Sequence, residues 1–287
     1  MSVPAYPRYY IPDGTTPAAA FRRTRSLVIA AHADDIEIFG FEAVLRGLGI
    51  PGGDPEPVTG VVVTDGVGSP RGGSYRTVGS DRMRRLRERE QERAARLGRY
   101  NAVVFLGYPS GLVKRQPAPA VDDLATLLEQ CRPARVYTHN LADRHDTHVA
   151  VALCVIEAAR RVPRRARPRQ LLGCEVWRDL DWLTGSERVE MDVSGHDALA
   201  RRLIGCFRSQ IGSGKDYVRA TLGRRHAHAT FSESHRTDRA ESLILAMDMT
   251  PLVLPGGPTP DAFIAKVIAR FADDVAGRIR QISAGRR

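Results

Sequence analysis

Ser26-Leu-Val-Ile-Ala-Ala-His-Ala-Asp-Asp-Ile-Glu-Ile-Phe-Gly40 is the stretch on which the reading of this chain turns. It opens with a short β-branched and apolar run, the pattern of a buried strand. It then places His32, Asp34 and Asp35 where the strand should hand over to a helix. An ordinary strand-to-helix turn needs no such set of metal ligands and proton carriers. Three further runs have the same strand character, at residues 60–64, 102–106 and 134–138. Helical periodicity falls between them, over 37–48, 81–97 and 121–130, and follows the last over 147–161. Strands alternating with helices predict βαβ units and a parallel sheet with its strand C-termini along one edge. Ligands of open α/β sheets bind at that edge. The residues just past each strand are His32-Ala-Asp34-Asp35, Thr64-Asp65-Gly66, Gly107-Tyr-Pro-Ser110-Gly111 and His139 through His148. Polar and metal-ligating types therefore converge on one edge.

Beyond Arg169, residues 171–177 and 188–193 read as strands added to the sheet, and 197–207 and 261–282 as helices. Residues 224–239, with His226, His228 and His235, read as a loop. No composition break marks a second unit. The expectation is one α/β domain over 1–287, with a core of about 24–245 and a C-terminal helix of about 261–282.

Composition sets limits on function. The 287 residues are 43% hydrophobic and 26% charged, which are globular values. The N-terminus has no signal-peptide apolar core, and no apolar run is long enough to span a bilayer. A soluble cytoplasmic protein is expected. Cys131, Cys154, Cys174 and Cys206 are too widely spaced for a metal knuckle and read as buried apolar residues. The net charge is +10, yet among 43 basic residues only Lys114, Lys215 and Lys266 are lysines. Arginines between 82 and 99 interleave with Asp81, Glu88, Glu90 and Glu92, the pattern of an ion-paired, solvated helix face. A nucleic-acid binder would leave the clustered His and Asp residues without a purpose, so no nucleic-acid partner is expected.

Nucleotide binding fails at the first turn. A phosphate cradle needs glycines and free backbone N–H groups there, and Asp34 and Asp35 would repel the anion. Gly214-Lys215 has Asp216 where a P-loop needs Ser or Thr. A metal site accommodates the residues better. His32 and Asp35, three apart at a helix start, can share one ion. The pair His145-x-x-His148 can supply a third ligand, with one histidine bound and the other free. Asp34 would stand unligated beside a bound water, as a general base must.

His32-Ala-Asp34-Asp35-Ile-Glu37 resembles the AHPDDxE motif of the PIG-L/LmbE-like zinc de-N-acetylases. The stretch Thr138-His139-Asn140 to Asp143-Arg144-His145-Asp146-Thr147-His148 resembles their second motif, THNP…D.HPDH. Weaker likenesses lie at Thr64-Asp65-Gly66, Arg87-x-x-Glu90, Leu106 to Gly111, Ser209-Gln210 and Ala240-Glu241. The resemblance covers about residues 24–245. It implies a Rossmann-like three-layer sandwich with a mostly parallel sheet, and one zinc ion per chain held by His32, Asp35 and His148. It implies Asp34 as general base, His145 as oxyanion stabiliser or proton donor, and Arg87, Ser110 and Asp143 as substrate contacts. The implied partner is a small N-acylated amino sugar or glycoside, with a homo-oligomer left open. Departures fall at Ala33 for proline, Ser110 for an aspartate, Phe41-Glu42 for glycines and Asp146-Thr147 for Pro-Asp. They leave the ligand set whole and the substrate undefined. A zinc hydratase or lyase, and a metal-dependent phosphoesterase, are the alternative reactions.

Overall fold

The four apolar runs become the centre of one eight-stranded sheet. The structure, a computed structural model, describes residues 6–50, 52–69 and 71–285. The chain runs through β1 (Arg8–Tyr10), α1 (Pro17–Arg23), β2 (Ser26–Ala30), α2 (Asp35–Phe39), α3 (Phe41–Gly47) and β3 (Val58–Thr64). It continues through α4 (Ser80–Leu97), β4 (Ala102–Tyr108), α5 (Ser110–Val113), α6 (Ala118–Cys131), β5 (Arg135–His139) and α7 (Asp146–Arg161). Then follow β6 (Gln170–Cys174), β7 (Arg188–Asp192), α8 (Asp197–Ile204), α9 (Arg208–Ile211), α10 (Tyr217–Thr230), β8 (Leu243–Asp248) and α11 (Pro260–Ala284).

The strand order is β1-β4-β3-β2-β5-β6-β8-β7. From β4 through β6 neighbouring strands are parallel, and β1, β8 and β7 join antiparallel at the flanks. This is the mostly parallel α/β sandwich that the alternating pattern predicts. From β2 the chain steps outward to β3 and β4, then returns to place β5 on the other side of β2. The strand order thus reverses between β2 and β5, and a crevice opens at their C-terminal ends.

Side-chain alternation divides the core. Leu27, Ile29, Val61, Val63 and Val104 pack on one face with residues of α1, α6, α7 and α11. Val28, Ala30, Val62, Val103 and Phe105 pack on the other with residues of α3, α4 and α8. Each fully buried Leu, Ile or Val contributes about 1.5–3 kcal/mol through burial alone. The strands are apolar throughout because both faces are covered.

The expected helix over 37–48 is two helices. The break is Gly40, where an added Cβ would meet Val28 Cγ1 at 2.6 Å and the Ile36 carbonyl oxygen at 2.8 Å. The chain turns over the sheet at its nearest approach. Residues 224–230, expected as loop, belong to α10, which buries Arg225 and His228 rather than an apolar stripe. Two strands were not foreseen, the flanking β1 and the antiparallel β8. The first five residues of the Pro/Tyr-rich N-terminus lie outside the described residues. The four cysteines are free and buried. Among the described residues, no helix is long and apolar enough to cross a membrane.

Gly60 in β3 gives α2 its seat, since an added Cβ there would lie 2.7 Å from Ile36 Cδ1. Ile36 directly follows Asp34 and Asp35. Gly60→Val should destabilise the fold by about 1–3 kcal/mol through overpacking and lift α2 from the sheet. A lower urea midpoint at unchanged m-value checks it.

Candidate active site

β2 and β5 end side by side, and their last residues fix the site. The Ala31 N–H donates to His139 Nε2 at 2.9 Å, and Thr64 Oγ1 donates to the Ala31 carbonyl at 2.7 Å. The ends of β2, β3 and β5 are thereby tied together before the reactive residues begin. Asp34 then takes φ 90°, a region that residues with a Cβ rarely adopt. Its carbonyl accepts from Glu37 N and Ile38 N, opening α2, while Asp35 Oδ2 accepts the His32 N–H at 2.8 Å. Adjacent in sequence, the two aspartates are separated by this turn into different surroundings.

Asp35, His32 and His148 converge. His32 Nδ1 is 3.3 Å from Asp35 Oδ2, His148 Nε2 is 3.6 Å from it, and the two ring nitrogens are 3.2 Å apart. His139 Nε2 also approaches Asp35 Oδ2, at 3.5 Å, but its lone pair faces the Ala31 amide. His145, at the N-cap of α7, makes no ion-pair contact with Asp35, unlike the other three histidines. Its ring stacks on His148 at 4.5 Å between centroids, and His148 stacks on His139 at 3.8 Å. Trp177, just past β6, continues the column beyond His145 at 6.3 Å. Among the described residues, His32-His145-His148 and Asp35-His139-His148 are donor groupings that could hold an ion. His32, Asp35 and His148 form a further triangle, with edges of 3.2, 3.3 and 3.6 Å.

Burial, the nearby Asp35 charge and Glu37 push the Asp34 carboxyl well above its ordinary range, against the Gln210 amide and the Arg87 charge. Burial also works to raise Asp35, but His148, His139 and His32 overcome it and hold that carboxyl well below the usual range. The two adjacent carboxyls are thus pushed in opposite directions. Burial, followed by the charges of His148 and His32, lowers His145 to about 4. It is therefore neutral at pH 7. Glu37, pushed up to about 8 chiefly by burial, accepts from Gln91 and Tyr100 behind α2.

These residues open into a cavity of about 420 Å³ lined by His32, Asp34, Asp35, Arg87, Ser110 and His145, with Lys114, Trp177, Gln210, Lys215 and Tyr217 also on its wall. A groove of similar size, about 440 Å³, lies at the opposite strand ends beside Glu42, Tyr137 and Asp192, far from this chemistry. Arg87 and Ser110 both line the first cavity. Arg87 donates to the Gly66 carbonyl and keeps Nε and Nη2 without protein partners. Asp143 is placed differently. Its side chain is fully buried, with Oδ2 facing His148 Nδ1 at 3.4 Å and accepting the Trp177 N–H, while Oδ1 accepts the His145 N–H. It orients the histidines and presents no free oxygen to the cavity. Asp146 points into solvent near Lys114.

The helix face expected to be solvated is in part buried: Arg87, Glu88, Glu90 and Gln91 of α4 pack inward. Glu90 accepts from Ser209 N and Ser209 Oγ, linking the Arg87-x-x-Glu90 and Ser209-Gln210 stretches directly. His226 and His228 lie elsewhere, on Asp197 and Glu175 respectively, and His235 is exposed. Trp177, Tyr217 and Lys215 escaped sequence reading. Trp177 alone carried a signal, its place just past a strand.

Comparison with known proteins follows the same lines. Residues 27–159 match the family model PIG-L, described as GlcNAc-PI de-N-acetylase. Similar solved structures include a conserved protein from Thermus thermophilus (TM-score 0.59, 22% identity, 77% of this chain and 94% of that one). The N,N'-diacetylchitobiose deacetylase of Pyrococcus horikoshii aligns at TM-score 0.56 and 17% identity, over 82% and 88%. The 4-carboxy-2-hydroxymuconate hydratase of Pseudomonas putida aligns at 0.54 and 16%, over 79% and 96%. No curated protein sequence matches. These likenesses share the fold, and both motifs built into the crevice fall inside the matched segment. Over residues 27–159 the chain is similar to the PIG-L family, and with the solved structures it shares the fold.

Proposed function

We propose that the protein is a zinc-dependent hydrolase that removes an N-acetyl or related acyl group from an amino sugar or glycoside conjugate. The observation that carries this is the donor triangle with a separate, buried carboxyl, Asp34, lining the same cavity beside it. Tetrahedral ligands about 2.0–2.1 Å from zinc must lie about 3.3–3.4 Å apart. The edges of 3.2, 3.3 and 3.6 Å among His32, His148 and Asp35 meet that spacing. Two imidazole nitrogens in contact beside an anionic oxygen also form a donor set that a cation relieves. The match to the PIG-L family model and the deacetylases among the similar structures, which include the A40926 pseudoaglycone deacetylase at 16% identity, support the acyl chemistry.

Zinc bound there supplies a Lewis acid and lowers the pKa of a water ligand from ~15.7 toward roughly 7. The chain's residues do the rest. Asp34 removes the proton from the attacking water and holds it in a buried setting, from which it passes to the departing amine. Neutral His145 donates a hydrogen bond from its ring to the carbonyl oxygen as negative charge develops there. Asp143 fixes the ring orientation of His148 and the backbone of His145. Arg87 and Ser110 contact the sugar, and Trp177 covers the outer face of His145.

Metal content and acetate release from a panel of N-acetylated amino sugars test this reading. One zinc per chain with acetate produced is expected. Water addition without acetate would make the protein a hydratase, and two ions per site would favour phosphoester hydrolysis. Asp143→Ala should lower zinc affinity by about 10–100-fold, as loss of a histidine's outer partner does. Competition titration against a chelator measures it, and KM at saturating zinc should hold.

A further inference from the structure

The C-terminal helix carries an apolar face that the described residues leave uncovered. Phe263 and Val267 are buried, Arg270 pairs with Glu187, and Phe271 meets Trp182 edge-on at 6.1 Å between centroids. These contacts seat the first half of α11. Yet Ile268, Phe271, Val275, Ile279 and Ile282 are 50%, 38%, 41%, 60% and 60% exposed. At about 100° per residue the five fall within an arc of about 80° on a helix, so they form a stripe rather than scattered residues.

The stripe is symmetric about Val275. Four residues before and after it stand Phe271 and Ile279; seven before and after stand Ile268 and Ile282. Turning a second copy of α11 antiparallel about Val275 sets Ile268 against the partner's Ile282, Phe271 against its Ile279, and Val275 against Val275. Every apolar residue meets an apolar residue over about 21 Å of helix. A self-complementary patch of this kind is what a two-fold interface requires.

The edges agree. Asp274 and Arg278 lie along one edge of the stripe and are paired within the helix at 3.1 Å. In the antiparallel pair each Arg278 comes within about 3 Å, along the axis, of the partner's Asp274, giving two reciprocal ion pairs. The other edge carries Ala265, Ala272, Ala276 and Ser283, small enough for close approach. Five side chains at these exposures present on the order of 500 Å², so two copies remove about 1,000 Å², the size at which specific interfaces begin. The polar face mixes Lys266, Arg270 and Arg280 with Asp273, unlike the basic face that anionic bilayers select.

We infer that α11 is a dimerisation element, pairing antiparallel with α11 of a second copy of this chain about Val275. Light scattering on the full chain should give twice the 31.6 kDa chain mass. Val275→Asp, which sets two carboxylates face to face on the two-fold, should halve the measured mass while helicity stays unchanged. Val275→Cys should cross-link to itself under mild oxidation. Ile268→Cys alone should not, but mixed with Ile282→Cys it should. The native cysteines, all buried, do not compete. A monomeric wild type, a dimer indifferent to Val275→Asp, or self-linking of Ile268→Cys as readily as Val275→Cys would overturn the inference. So would a monomer that sediments with phosphatidylcholine/phosphatidylglycerol vesicles, which would make the stripe a membrane face.

Discussion

Asp34→Asn should lower kcat by about 10²–10⁴, the contribution of a placed general base, while zinc content and melting temperature stay near wild type. The substitution isolates proton transfer for a structural reason. Asp34 sits at φ 90°, and Asn is among the few residues that enter positive φ readily. The turn is therefore kept, Asp35 remains on the donor triangle, and only the proton acceptor goes. Burial and the Asp35 charge make Asp34 unusually basic, and an amide cannot inherit that. Steady-state acetate release beside metal analysis of the same preparation decides it. Wild-type turnover in this variant would remove Asp34 from the reaction.

His148→Ala should lose zinc and activity together. His148 touches more of the site than any other residue: it completes the triangle, stacks between His139 and His145, and faces Asp143. The loss of zinc affinity should exceed the ~10–100-fold that follows removal of an outer partner such as Asp143. Thermal unfolding shows this without an activity assay. A ligand at about 100 times its Kd stabilises the native state by about 2.7 kcal/mol, so added zinc should raise the wild-type midpoint and leave that of His148→Ala unmoved. An equal zinc-dependent rise in both proteins would place the ion elsewhere.

The centre of the molecule was legible because parallel strands buried on both faces must be apolar end to end. The runs ending at Ala30, Thr64, Tyr108 and His139 therefore stood out. His32, Asp34, Asp35, His145 and His148 were legible for a related reason, since each closely follows a strand that the pattern had located. The flanks were not. β1 is three residues, Arg8–Tyr10, too short for any period, and β8 enters antiparallel between β6 and β7, out of chain order. α10 was hidden because it buries Arg225, on the Glu37 and Ile38 carbonyls, and His228, on Glu175, in place of an apolar stripe. The far wall of the cavity, Gln210, Lys215 and Tyr217, belongs to this later part of the chain. No spacing in the sequence reports its distance from His32. Asp143 had the right address but serves another end, because the turn after β5 aims its carboxylate back at His148.

The strained turn at Asp34 also bears on how this sequence came to be. A residue with a Cβ at φ 90° costs free energy that glycine would not, and the cost falls on folding of the whole chain. Selection for stability alone would place glycine at position 34. An aspartate there is what the general-base role proposed for it would demand against that first pressure. Asp34→Gly should fold at least as firmly as the natural chain and hydrolyse nothing, so the position marks where stability was yielded to chemistry.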